Sequence, residues 1–434
     1  MSDVIILGGG MTGLAAGIAS GYPVFEAEEA PGGICASYYM VPGDRRRHMR
    51  PRDGAYRFEL GGGHWIFGGD PAVLRFIRRL VPLKTYERRS AVYLPDRERL
   101  IPYPIQHHLR HLDPPLAARA LEEIVDLARR SSHPTTMAEW LRASFGPTLC
   151  EVFFDPFHRL YTAGLWQRIA PQDAYKSPVD LRMVLHGALH EPPPVGYNVT
   201  FVYPTEGLDA LAQRMAARCR VTFGKRAAEI DLRARRIRFA DGGAARYDLL
   251  LSTLPLNQMM AMTGLTLDAE PDPATAVLVL NIGAVRGPRC PSVHWLYVPA
   301  SASGFHRVGF YSNVEPSFLP APSNQTRVSL YVERAYPSGA LPAESEREAV
   351  AQAVVAELQA WGWIENVEVM DLTWIPVAYT WSWPGSTWRQ RAIEALEAHD
   401  VIQVGRFARW HFQGIADSIR DGFVVGTGLR STSR

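Results

Sequence analysis

Gly8-x-Gly10-x-x-Gly13 stands between an apolar run, Val4 to Leu7, and a helix-forming stretch, Leu14 to Ser20. That spacing suits a pyrophosphate. The first glycine permits a tight turn, the second lets backbone approach the phosphates, and the third allows close helix–strand packing. The helix N-terminus favours the negative charge. Glu26 ends the next strand-like stretch, where a carboxylate can meet ribose hydroxyls. Pro31-Gly32-Gly33 closes the unit. The pattern predicts a dinucleotide site and does not by itself choose between NAD and FAD.

Arg168 and Arg307 lie in distant segments. Guanidinium forks match phosphate oxygens bidentately, so such a pair could clamp an anion; a surface salt bridge is the plainer role for either. His64 follows Gly61-Gly62-Gly63 and reads as a core histidine or as a contact to a flat ring. The run Arg45 to Arg52 reads as a solvated hairpin, or an anion-binding lid. The aromatics Trp374, Tyr379, Trp381, Trp383 and Trp388 read first as packing, with Trp381 or Trp383 able to widen a pocket. No catalytic triad or carboxylate pair stands out. The cysteines, Cys35, Cys150, Cys219 and Cys290, show no CxxC and no metal spacing, so they predict reduced thiols and no metal site.

Elements must bring these residues together. At 434 residues the chain can bury a large core, and it predicts two or three units. A net charge of +2 gives no case for nucleic acid or a membrane surface, and no stretch approaches the roughly 18–20 apolar residues of a span. The short apolar start is a buried strand, not a signal peptide, and a cytoplasmic protein is expected. The fold class expected is α/β: a discontinuous Rossmann-type domain from 1–70, 203–270 and 395–434, a mainly helical insertion at 71–202, and a substrate sheet, largely antiparallel, at 271–394. Helices are predicted over 116–130, 136–145, 149–154 and 179–190, and strands over 277–283, 294–298, 307–311, 328–333 and 367–374.

The stretch Glu26 to Gly33, with Tyr203-Pro204-x-x-Gly207-Leu208 and Ser252-Thr253-Leu254-Pro255, resembles the FAD superfamily of amine oxidases and protoporphyrinogen oxidase. Within it, scattered motifs resemble the UDP-galactopyranose mutase family. They are Gly62-Gly63-His64-Trp65-Ile66-Phe67, Tyr103-Pro104-Ile105-Gln106, Trp166-Gln167-Arg168, Trp295-Leu296-Tyr297 followed by His306-Arg307, Ser312-Asn313, and Gly405-Arg406-Phe407. The resemblance implies FAD, active in its reduced form, held by Gly8, Gly10, Gly13, Glu26, Gly33, Gly62, Gly63, His64, Arg406 and Ser418. It implies a substrate pocket of Phe67, Tyr103, Gln106, Arg168, Tyr297, Arg307, Asn313, Tyr379 and Phe412, with His64, Arg168 and Arg307 closest to the chemistry. In that family the flavin N5 forms a bond to the anomeric carbon, the sugar recloses through another hydroxyl, and no net electrons pass. The implied partner is an anionic small molecule, a sugar nucleotide or a base-bearing glycoside. Reductant would come from outside, such as NAD(P)H, because no dedicated domain for it is found.

Departures from the family pattern matter. Val314 and Phe412 stand where the family has phosphate-binding tyrosines, and Pro156-Phe157-His158 replaces a Pro-Tyr-Asn segment. Losing a hydroxyl donor costs on the order of 1–3 kcal/mol, so a standard UDP-galactopyranose mutase is not expected. An oxidase or desaturase of the same superfamily, and a flavin protein without turnover, stay open.

Overall fold

The computed structural model describes residues 3–172, 179–193, 199–322 and 326–432. Its first layer is a five-stranded parallel sheet in the order Val221–Thr222, Val24–Phe25, Val4–Leu7, Leu249–Ser252, Val401–Gln403. Val4–Leu7 is buried throughout, as a central parallel strand covered on both faces must be. The helix Met11–Ser20 leaves the first strand directly and packs against the last helix, Ile415–Thr432. Glycines make that close approach possible. A Cβ on Gly422 would lie 2.2 Å from the Thr12 carbonyl oxygen, and one on Gly426 would lie 2.6 Å from that of Ala16.

The second layer is a seven-stranded sheet in the order Ile364–Thr380, Ala274–Arg286, Arg327–Pro337, Arg307–Phe310, Trp295–Tyr297, Ser90–Leu94, Arg99–Pro102. Its pairs are antiparallel except Trp295–Tyr297 with Ser90–Leu94. The observed class is therefore mixed α/β. The sheet is wider than the sequence predicts: its last two strands come from the stretch read as mainly helical. Ser90–Leu94 is buried at every residue, so it carries no alternation to mark it as a strand. The helices of that stretch include Pro114–Leu127, Met137–Leu149 and Leu181–Leu189, and Cys150–Phe154 is π-helical.

Asn281, fully buried in the long strand Ala274–Arg286, ties the layers together. Its amide donates to the Tyr38 hydroxyl (2.9 Å) and the Glu59 carbonyl (3.0 Å), and it accepts from the Tyr311 hydroxyl (3.0 Å). These bonds fix the chain just before Gly61. The arginine run is largely exposed, as a solvated hairpin would be, but one of its members is tied down. Arg47 grips the neighbouring strand, bonding Asp371 Oδ2 (2.9 Å), the Leu372 carbonyl (2.6 Å) and Thr373 Oγ1 (2.8 Å). The four cysteines are unpaired. Among the described residues no cluster could hold a metal ion, and no helix is long and apolar enough to cross a membrane.

Candidate active site

The glycine loop has the shape its spacing demands. Gly8 has φ +99°, and a Cβ there would lie 2.2 Å from Thr253 Oγ1. A Cβ on Gly13 would lie 1.9 Å from the Gly8 carbonyl oxygen, so only glycine lets the helix sit this near the strand. Gly10 is different. A Cβ there would meet nothing within 4 Å. The loop thus forms an open cradle at the N-terminus of Met11–Ser20, with Gly33 backing Gly10. A dinucleotide pyrophosphate fits that space. Glu26 lies at the rim, accepting from the Gly9 and Glu28 backbone N–H groups. Burial raises its carboxyl, against the pull of those two bonds.

The second wall is the Gly61–His64 turn. A Cβ on Gly63 would lie 2.3 Å from the Tyr331 hydroxyl, and one on Gly62 would lie 3.0 Å from Glu333 Oε1. The turn therefore rests directly on the large sheet. His64 Nδ1 lies 3.1 Å from the Gly62 carbonyl oxygen, and burial pushes its imidazole down to about 4, so it is neutral at ordinary pH. Arg406 follows Gly405, whose φ of +92° sets the turn beside Thr12. Its guanidinium donates to the Ala378 carbonyl (3.2 Å) and lies 4.8 Å over Phe412. Burial is the main cause that lowers the His64 imidazole, and the Arg406 charge adds to it. Ser418 lies in the first turn of the last helix, one turn before Gly422.

Beyond the Gly61–His64 turn opens a cavity of ≈ 240 Å³. Phe67, Tyr103, Tyr297, Arg307, Tyr379 and Phe412 line it, as the sequence reading expects. Arg307 forms an ion pair with Glu333, which is 2 % exposed. Glu333 also accepts from the Tyr379 hydroxyl (3.0 Å) and lies 3.5 Å from His306 Nε2. Burial alone would raise the Glu333 carboxyl, but the Arg307 charge and the His306 bond outweigh it and hold it at about 2.

Three expected pocket residues lie elsewhere. Arg168 is exposed and off the cavity wall, with its guanidinium 4.9 Å over the Trp383 ring. Asn313 is bound to the backbone: its amide donates to the carbonyls of Pro291 (2.9 Å) and Val293 (2.7 Å), and it accepts from Arg286 (3.1 Å). Gln106 is fully buried and off the cavity wall. Val314 packs in the core rather than at the cavity, so it offers no position for a phosphate-binding hydroxyl. Trp381 lines the cavity, and Trp383 does not.

Sequence reasoning missed several wall residues. Behind the wall it also missed Glu333, which holds Arg307 and Tyr379 and left a signal: a carboxylate at the second position after Tyr331 along the strand Arg327–Pro337. Tyr331, Arg88 and Tyr161 carried none. Phe153, Phe154 and Phe157 read as ordinary helix core.

Comparison with known proteins agrees with this architecture. The family model for flavin containing amine oxidoreductase matches residues 22–278, more than half of the chain. No curated protein matches the sequence. The fold is similar over 100% of this chain and 96% of the other to reduced UDP-galactopyranose mutase, with TM-score 0.84 and 22% identity. It is also similar to an oxidoreductase from Methanosarcina mazei (TM-score 0.62, 13% identity, 96% and 98% covered) and to putrescine oxidase bound to putrescine (TM-score 0.57, 16% identity, 100% and 99% covered). The family binds flavin, and the pyrophosphate cradle at Gly10 makes the cofactor FAD. This chain belongs to the flavin containing amine oxidoreductase family, with a fold like that of UDP-galactopyranose mutase.

Proposed function

We propose that the protein is a net non-redox mutase, interconverting pyranose and furanose forms of a sugar held on a leaving group. The observation that carries this reading is the Arg307–Glu333–Tyr379 cluster packed against the Gly61–His64 turn. It sets a fixed cation and a phenol where a sugar and its departing group would lie. The full-length likeness to the reduced mutase supports it, and that to putrescine oxidase is weaker.

Reduced flavin, when bound, supplies a nucleophilic ring nitrogen for the anomeric carbon and needs no net electron transfer. The protein's own share is orientation and charge. Arg307, held by Glu333, keeps a positive charge in a buried place, where it stabilises negative charge developing on the leaving group. The Tyr379 hydroxyl is oriented by its bond to Glu333, and the Tyr379 side chain lines the cavity. Neutral His64 adds no charge at the ring face. Phe412, Trp381 and Tyr161 screen the site from water. Reductant arrives from outside, with NAD(P)H the natural candidate.

The test is turnover of a pyranoside by dithionite-reduced enzyme under anaerobic conditions. A mutase gives furanoside with no net oxidation. Oxygen uptake coupled to substrate loss in air, without ring interconversion, would establish an oxidase instead.

A further inference from the structure

The cavity has two chemically different ends. Gly63, Tyr331, Tyr379 and Arg307 form the end beside the cofactor. The other end comes from the helical stretch: Met137, Trp140, Leu141, Phe153 and Phe154. These rings are held in place. Phe154 stacks on Phe145 with centroids 4.0 Å apart and planes 17° apart, and Phe153 stacks on Phe157 at 5.2 Å and 21°. The result is a preformed aromatic slot, which binds a flat partner at little ordering cost.

The described residues of the slot do not offer what a nucleoside diphosphate requires. Gln106 does not reach the wall to pair with a base. Gln172 does, but its amide donates to the Thr380 carbonyl (2.8 Å). Among the described wall residues the cations are Arg88 and Arg307, and Arg307 is offset by Glu333. His158 is pushed down to about 4 by burial, and burial also lowers His306, so both are neutral at pH 7. Among the described wall residues at most one net positive charge is left to meet the two or more negative charges of a diphosphate. Desolvated phosphate oxygens without partners are costly.

Resting on the mutase reading, we infer that the sugar is carried on a flat aromatic aglycone that is neutral or singly charged, and that Trp140 and Phe154 select it. The leaving group is then not a nucleoside diphosphate.

The experiment titrates dithionite-reduced, FAD-loaded enzyme with 4-nitrophenyl galactopyranoside, 4-nitrophenol and UDP, following the flavin spectrum. The aromatic probes bind at least about tenfold tighter than UDP, with little change between about 0.05 and 0.5 M salt. Trp140→Ala weakens the aromatic probes about tenfold while FAD stays bound, an effect of the size expected for one lost aromatic contact. Glu333→Gln releases Arg307 and raises UDP affinity about tenfold, as removal of one offsetting charge predicts. Tighter, salt-sensitive binding of UDP to the wild type overturns the proposal. So does an unchanged affinity for the aromatic probes in Trp140→Ala. Tight aromatic binding without ring interconversion of any glycoside leaves the slot assigned and rejects the mutase reading instead.

Discussion

Gly10 separates folding from cofactor binding at a single atom. A Cβ there touches no protein atom within 4 Å, and its φ of −71° suits any residue. Gly10→Val should therefore fold normally and purify colourless, its side chain filling the pyrophosphate path. Yellow protein with full FAD content would refute the cradle. Gly13→Val makes the contrast: it strikes the Gly8 carbonyl and should fail to fold. At Arg307 the expectation is different. Arg307→Ala strands Glu333, which is buried and held ionised by that partner. Breaking such a pair costs about 2–5 kcal/mol, to be read as lost substrate affinity or turnover in FAD-loaded enzyme. Unchanged kinetics would remove Arg307 from the site. The glycines and Arg307 were legible in the sequence because backbone conformation and flanking motifs mark them. Asn313 was misleading: the same residue type serves a buried backbone as well as a ligand, and only the fold says which.

Elements carry the site through two contacts whose sequence signals were faint. The first is the glycine-lined crossing of Met11–Ser20 and Ile415–Thr432. Gly422, Gly426 and Gly428 lack the spacing of a dinucleotide fingerprint, so spacing alone gives them no role. Gly422 is in fact the point of closest approach. Gly422→Val should push the last helix outward, costing about 1–3 kcal/mol by overpacking. Because that helix packs on Met11–Ser20, whose N-terminus forms the cradle, FAD affinity should fall with stability. A thermal midpoint and FAD content matching wild type would contradict this. The second contact is Arg47 on the strand Ile364–Thr380, which no periodicity could announce, because the partners lie more than three hundred residues away. The long strands of the large sheet were recognised from alternation. Ser90–Leu94 was not, because burial on both faces erases the alternation.

At the scale of the whole molecule, buried imidazoles decide the acid limit. Burial pushes His64, His107, His158 and His294 from the usual 6.5 down to about 4. Each therefore binds a proton in the unfolded chain between pH 6.5 and 4 but not in the folded one. Stability falls as pH falls through that window. Glu59 acts in the opposite sense: burial raises its carboxyl to about 8, so the folded state gains protons first and stability rises on acidification from 8 to 4.5. Burial also lowers His108, His306 and His411 and raises the carboxyls of Glu26 and Asp209, so among the described residues seven imidazoles stand against three carboxyls and the net slope below pH 6.5 is destabilising. Glu333, held at about 2, adds a further loss below 4.5. Between pH 7 and 5 the loss should be on the order of a few kcal/mol, since one proton withheld from the folded state costs about 1.36 kcal/mol per pH unit before the protein relaxes around it. Urea midpoints of the FAD-saturated enzyme across that range measure it. His294→Gln removes one of these groups and should flatten the slope measurably, if the sites titrate independently. A midpoint constant from pH 7 to 5 would mean the imidazoles accept protons without unfolding, and the buried site would then be far wetter than its aromatic walls imply.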